Sequence, residues 1–322
     1  MSMRTKTTLL FSLAAFALVL GVTTTGAETS KAKHVNRAIE LLQQGQPIYY
    51  TGSHSGTDGS FEQGKKDAQI YADYISYDME HAPYDIKGLA DYMRGLVAGG
   101  PTKSGHRTPA VIVNVPVNGI DEGAVRANAW MFQQVLATGV HGILLTHADS
   151  PGAVRAFVEA VRFPIHKQGV DKGISEGRRG AHGTPTAAQI WGVSNEEYLD
   201  KADAWPLNPN GELLLGLKLE DKYALANAEE NLKIPGIAFA EWGPGDMALS
   251  LGVRGRDADK DPRMVAARAK VFAACKANKI FFLNSMNAKN VIDMIKEGVM
   301  VGPASQEATE IGRKFTKRQM PW

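Results

Sequence analysis

Two short apolar runs decide how this chain folds: Leu213-Leu214-Leu215-Gly216-Leu217-Lys218-Leu219-Glu220, and Ile237-Ala238-Phe239-Ala240-Glu241-Trp242-Gly243-Pro244-Gly245-Asp246. Runs of this length, bounded by Gly and Pro, read as buried parallel strands. Residues 222–231 between them read as a helix. The unit is strand–helix–strand, and each strand ends on a carboxylate, Glu220 or Asp246. At the C-terminal edge of an α/β barrel, that is where active sites are built. Two hard oxygen ligands on neighbouring strand ends suit Mg²⁺, which takes one or two carboxylates and completes its octahedron with water and substrate. Gly243 and Gly245, on either side of Pro244, let backbone amides come close to a bound anion. The same residues also read as a surface carboxylate, Glu220, and a helix N-cap, Asp246.

Outward from this unit the same rhythm continues. Residues 33–44 form an N-terminal helix stopped by Gly45, and strands occupy 47–52, 74–79, 110–115 and 142–146. Further strands lie at 280–284 and 299–302, with helices expected at 65–72, 86–98, 123–138 and 151–162. Alternating strands and helices mean parallel βαβ units. Eight strands in a chain of 322 residues fit one (β/α)8 TIM barrel with an extra N-terminal helix. Residues 162–211 form a long, polar, Gly-rich stretch with one helical patch at 195–202, and loops of that length are usually functional. His54, Asp78, Glu80, His81, Asn114, His147 and Asn284 also fall at or just beyond strand C-terminal ends.

Ahead of the barrel, Arg4 and Lys6 precede a charge-free apolar run at 9–22 and the small residues Thr25-Gly26-Ala27. This pattern reads as a signal peptide over residues 1–27, with residues 28–322 as one mature domain in the periplasm or outside the cell. The run is short for a membrane span, so no stable membrane association is expected after cleavage. Cleavage removes two of the 36 Lys and Arg and none of the 34 Asp and Glu. The balanced charge gives no argument for a nucleic-acid partner. Cys275 is the single cysteine, so no intrachain disulfide forms.

Three pieces of the chain together resemble the metal-dependent pyruvate aldolases of the HpcH/HpaI aldolase/citrate lyase family. Asp78-Met79-Glu80-His81-Ala82-Pro83 is similar to the family's Asp-x-Glu-His-[Ala/Gly]-Pro. Leu219-Glu220 closes a hydrophobic strand. Gly243-Pro244-Gly245-Asp246-Met247-Ala248-Leu249-Ser250-Leu251-Gly252 is similar to Gly-Pro-x-Asp-Leu-Ser-x-x-x-Gly. Gly177-Arg178-Arg179-Gly180 looks like a weaker fourth, Gly-x-Arg-Gly. The order holds over about residues 36–310.

The resemblance implies that Glu220 and Asp246 hold Mg²⁺, Mn²⁺ or Co²⁺. A 2-oxo acid would chelate that ion beside the amides of Gly243 and Gly245. The reaction would be a reversible aldol cleavage releasing an aldehyde, through an enolate whose charge the ion offsets. His81 would be the acid–base group, oriented by Asp78 or Glu80, with Arg179 as a further catalytic candidate. A dimer-based homo-oligomer, up to a hexamer, is also implied. There are departures from the family pattern. Asn114 stands where the family places an Arg that bonds the keto oxygen, and Ala137 where an Asp supports the His. His54 and His147 are additional histidines. Asn114, His147 and His54 are therefore expected to shape a substrate site unlike that for ordinary 4-hydroxy-2-oxo acids. Lys218, on the same strand face as Glu220, reads as structural. Two other functions fit the same barrel: a periplasmic binding protein without catalysis, or a metal-dependent lyase or hydratase of a bulky aromatic substrate.

Overall fold

The computed structural model describes Met1, residues 33–52 and residues 58–322. The chain divides into two units, Met1–Ser30 and Lys31–Trp322. The proposed signal segment, apart from Met1, and His54 lie outside the described residues. The barrel belongs wholly to the second unit.

Among the described residues, nine strands form one parallel sheet: β1 (Ile48–Thr51), β2 (Tyr74–Asp78), β3 (Ala110–Asn118), β4 (Gly142–Thr146), β5 (Ala204–Trp205), β6 (Leu213–Leu219), β7 (Phe239–Trp242), β8 (Phe281–Leu283) and β9 (Val299–Pro303). Pairing runs β4-β3-β2-β1-β9-β8-β7-β6, and β4 pairs with β6 from Gly142↔Leu214 to Leu145↔Leu217. That pairing closes an eight-stranded (β/α)8 barrel. The ninth strand, β5, adds two residues beside the start of β6. Two residues carry no periodic signal, so β5 is not legible in sequence.

Packing divides by strand face, as the period of two requires. Inside the barrel Tyr50, Tyr74, Ile112, Leu144, Leu214, Phe239, Leu283 and Val301 form one cluster. Ala38, Ile39, Leu41 and Leu42 of the helix Arg37–Gln43 join it and plug the barrel's N-terminal end. The outward faces pack under the surrounding helices in the larger cluster. Gly216 is required by this inner packing: a Cβ there would lie 2.3 Å from the Phe239 ring.

Helix boundaries depart from the sequence expectation where polar side chains rewrite the backbone. The helix expected at 123–138 is two, Glu122–Ala127 and Ala129–Ala137. Asn128 breaks it, because its side-chain amide donates to the Ala124 carbonyl and competes with the helical ladder. The helix expected at 65–72 is Phe61–Asp67, started by Ser60, whose hydroxyl accepts from the Gln63 amide. In the long stretch after Arg162, a second helix, Thr184–Trp191, precedes Asn195–Lys201. Strand β3 runs past Pro116 to Asn118, so Asn114 lies within the strand and not at its end.

Candidate active site

A cleft opens at the C-terminal end of the barrel, with a volume of about 280 Å³. β6 and β7 supply its charge. Lys218 and Glu241 sit directly across the β6–β7 register, and Glu220 follows β6 on the face that Lys218 shares. The cleft is lined by His81, Lys218, Glu220, Glu241 and Asp246, with Trp242, Gly243 and Gly245 among the rest.

The turn after β2 positions His81. Asp78, the last residue of β2, is buried, and its Oδ1 accepts the backbone N–H groups of Glu80 at 2.8 Å and His81 at 3.1 Å. Its Oδ2 lies 2.7 Å from His81 Nδ1. A carboxylate only accepts, so Nδ1 carries the proton and Nε2 is left basic. The imidazole itself is part exposed, at 38 %.

Glu220 is buried, and a carboxylate there has poor company. Its Oε1 has no hydrogen-bond partner among the described residues. Lys218 Nζ is 3.6 Å from that oxygen and His147 Nδ1 is 3.5 Å away. Burial pushes the Glu220 carboxyl up to about 8; Lys218 opposes the shift, while Glu241, Glu80 and Asp246 add to it. Burial also works against the Lys218 ammonium, but Glu241, Glu220 and Glu80 outweigh it and raise its pKa. Lys218 Nζ donates to Glu80 Oε2 at 2.5 Å. Gly243 is packed against this group: a Cβ there would meet Glu220 Oε2 at 2.2 Å. Gly245 faces open space, and Asp246 lies exposed in the first turn of the helix Pro244–Ser250, whose N-cap is Gly243.

The turn after β4 brings His147 beside Glu220. His147 has φ 48°, a left-handed backbone that a bulky side chain seldom takes. Two bonds at the next residue hold it: Ala148 N–H donates to the Lys218 carbonyl at 3.0 Å, and Asn231 Nδ2 donates to the Ala148 carbonyl at 2.5 Å. Strain held in this way is characteristic of functional turns. Behind it, burial, reinforced by Asp221, pushes the Asp149 carboxyl up to about 7.

These groups fit a divalent cation. Glu80, His147 and Glu220 bring one ligand atom each within 4.8 Å of one another, and Asp78, Glu80 and His81 form a second such trio. Asp246 belongs to neither trio but lines the same cleft. Carboxylate oxygens with one imidazole suit Mg²⁺, Mn²⁺ or Co²⁺. The orphaned, buried Glu220 oxygen is what a bound cation would satisfy.

The structure thus gathers Asp78, Glu80, His81, His147, Glu220, Gly243, Gly245 and Asp246. Two expected residues stand elsewhere within one copy of the chain. Arg179 is buried between the rings of Phe163 and Tyr198, and its Nη2 donates to the Tyr198 hydroxyl at 2.7 Å. It does not line the cleft. The Gly-x-Arg-Gly likeness is too short to say which way its Arg points. Asn114 shares the inward strand face with Ile112 but is buried and does not line the cleft; its Oδ1 accepts from the Ser76 hydroxyl at 3.5 Å. Lys218, read in sequence as structural, lines the cleft. Glu241 escapes sequence reasoning, because a Glu inside a strand reads as an ordinary inward or outward position until the register places it against Lys218.

The family model for HpcH/HpaI aldolase/citrate lyase matches residues 64–308. The chain belongs to this family. It is similar to a hydroxypyruvate/pyruvate aldolase of Agrobacterium fabrum, 26 % identical over 250 residues, covering 76 % of this chain and 80 % of the relative. It is 29 % identical over 181 residues to a 2-keto-3-deoxy-L-rhamnonate aldolase of Klebsiella pneumoniae, covering 56 % of this chain and 54 % of that one. A family protein from Burkholderia cenocepacia shares the fold, with TM-score 0.64 and 21 % identity over 88 % of this chain and 97 % of that one. The family is one of metal-dependent aldolases and citrate lyases, and its named relatives here are aldolases, so the membership carries lyase chemistry with it.

Proposed function

We propose that this chain is a divalent-metal-dependent aldolase that releases an aldehyde and a small 2-oxo acid, of the pyruvate or hydroxypyruvate kind, through the enolate of that acid. The observation that carries the reading is one cleft holding both a base and a metal donor: His81, oriented by Asp78 at 2.7 Å, and Glu220, buried with an unpartnered oxygen. Glu220 and Asp246 would hold the ion, with Glu80 and His147 as further donors in reach. A bound ion supplies positive charge where the enolate oxygen becomes negative. His81 Nε2 takes the proton of the aldol hydroxyl. The electron pair of the breaking carbon–carbon bond moves into the 2-oxo acid, and the new carbonyl departs as the aldehyde. A proton then adds at carbon to give the free 2-oxo acid, so no oxidant or reductant is consumed. The backbone N–H groups of Gly243 and Gly245, which line the cleft, would bind the acid's carboxylate.

The likeness to hydroxypyruvate/pyruvate aldolases favours a small 2-oxo acid over a bulky aromatic substrate, and the intact set of ionisable groups favours catalysis over binding alone. The test is exchange of the pyruvate methyl protons with solvent deuterium, followed by NMR, with Mg²⁺, Mn²⁺ or Co²⁺ and then with EDTA. Metal-dependent exchange, with aldehyde release from hydroxylated 2-oxo acids, is the expected result. Exchange that survives EDTA, or none with any ion, would overturn the reading. We further propose export from the cytoplasm and assembly into a homo-oligomer. Mass spectrometry should find a mature N-terminus near Glu28, and an intact Met1 in a cytoplasmic fraction would refute export.

A further inference from the structure

Lys218 is the one lysine or arginine among the described residues lining the cleft, and the aldol chemistry leaves it without a task. We propose that Lys218 is a catalytic residue, whose ammonium donates a hydrogen bond to the substrate oxygen that gains negative charge as the carbon–carbon bond breaks. The proposal rests on the aldolase reading and adds to it a residue that the fold, not the motifs, brings to the site.

Lys218 is in the right place. Its Nζ is 3.6 Å from Glu220 Oε1, so a substrate oxygen seated beside Glu220 is within reach of the ammonium. That distance is too long for a hydrogen bond to Glu220. The nearer partner is Glu80 Oε2, at 2.5 Å. An ammonium has three N–H donors, and the bond to Glu80 takes one of them.

Lys218 also carries the right charge. It is buried, and a lone buried cation would be costly. Here Glu80, Glu220 and the cross-strand Glu241 surround it and stabilise the charged form. The ammonium is therefore preorganised: its position and charge are set before substrate arrives, which is what makes a donor effective in a transition state.

The cleft has need of such a donor. Asn114 has only a neutral amide, shorter than an arginine, and does not line the cleft. Charge-assisted hydrogen bonds are about twice as strong as neutral ones. Lys218 lines the cleft itself, from β6, with a full charge. It keeps its proton throughout and forms no covalent bond, so the balance of the reaction is unchanged.

The variants are Lys218→Gln and Lys218→Arg in the full-length protein loaded with Mn²⁺. One readout is proton exchange of pyruvate. The other is calorimetric binding of oxalate, a planar dianion with the charge and shape of the pyruvate enolate. Lys218→Gln should slow exchange by about 10²–10³-fold, weaken oxalate by a similar factor, and change the KM for pyruvate only a few-fold. Lys218→Arg should recover at least about a tenth of the lost rate, because it keeps a charged donor. A folded Lys218→Gln protein that binds oxalate and exchanges pyruvate as the parent does would overturn the proposal and leave the aldolase reading intact. If Lys218→Gln does not fold, the double variant Lys218→Gln/Glu80→Gln is compared with Glu80→Gln alone, so that the Glu80 carboxylate is missing from both, and the same outcomes decide. Absence of metal-dependent exchange in the parent protein would overturn the aldolase reading and this proposal together.

Discussion

Asp78 does two jobs through two oxygens, and they can be separated. Oδ1 secures the turn by accepting two backbone amides, while Oδ2 holds the His81 ring at 2.7 Å. Asp78→Asn keeps an oxygen for the turn but can offer its NH₂ group to Nδ1, which would put the ring proton on Nε2. The expected outcome is a loss of about 10²–10⁴ in kcat, the usual span for a general base, with pyruvate affinity nearly unchanged in steady-state kinetics. Glu220 gives a pH prediction. Its carboxyl is pushed up from its ordinary value of 4.5 to about 8, first by burial. The folded, metal-free protein therefore binds more protons than the unfolded chain between those values, and its stability falls as pH rises through that window. Thermal melts of metal-free protein from about pH 5 to 9 should show this decline. Saturating Mn²⁺, or Glu220→Gln, should flatten it. A metal-free melting temperature that rises with pH and is indifferent to Glu220→Gln would show that the carboxylate has found other compensation.

The element that matters most is the turn from β7 into the helix Pro244–Ser250. Its first residue, Gly243, leaves room for the Glu220 carboxylate. In Gly243→Ala the methyl would overlap both Glu220 Oε2, at 2.2 Å, and Glu220 Cβ, at 2.6 Å, so the carboxylate has to move from its place. We expect a loss of about 10–100-fold in Mn²⁺ affinity by calorimetry, the scale seen when groups supporting a metal ligand are disturbed. Gly245→Ala, which meets open space, should change it little. Equal effects at the two glycines would mean that this turn orients nothing. The turn after β4 works by the opposite means. There His147 keeps a left-handed backbone because β6 and Asn231 hold its neighbour Ala148.

At the scale of the whole molecule, the barrel's N-terminal end is tied by one carboxylate. Asp73, just before β2, accepts from Arg37 of the plugging helix, from Arg313 and from Arg318 near the C-terminus. Its Oδ2 also accepts the Tyr49 amide at 3.0 Å. Burial alone would raise its pKa, but the three guanidinium groups hold it well below the usual carboxylate range. Asp73→Asn would leave three buried arginines without their common counter-ion. Breaking a buried pair in this way costs about 3–5 kcal/mol. Urea unfolding should register that loss, while turnover per folded molecule stays as in the parent, because Asp73 stands at the opposite end of the barrel from the cleft. A large change in turnover at unchanged stability would contradict this division of labour.

The barrel is legible in the sequence alone, because repeated apolar strands and amphipathic helices can bury their faces in few other ways. So is most of the cleft: Asp78, Glu80, His81, Glu220, Gly243, Gly245 and Asp246 lie in short motifs at strand ends, where local spacing decides which way a side chain points. The rest depends on the closed fold. Arg179 and Asn114 are placed by what packs on them, Phe163 and Tyr198 for the first and the inner barrel face for the second. Strand β5 and the break at Asn128 are too short or too local to leave a periodic trace. Lys218 reads as structural because its meaning depends on Glu80, 138 residues away in sequence, and on the β6–β7 register that sets it against Glu241. A charge buried among charges from three separate strand ends exists only after the barrel closes.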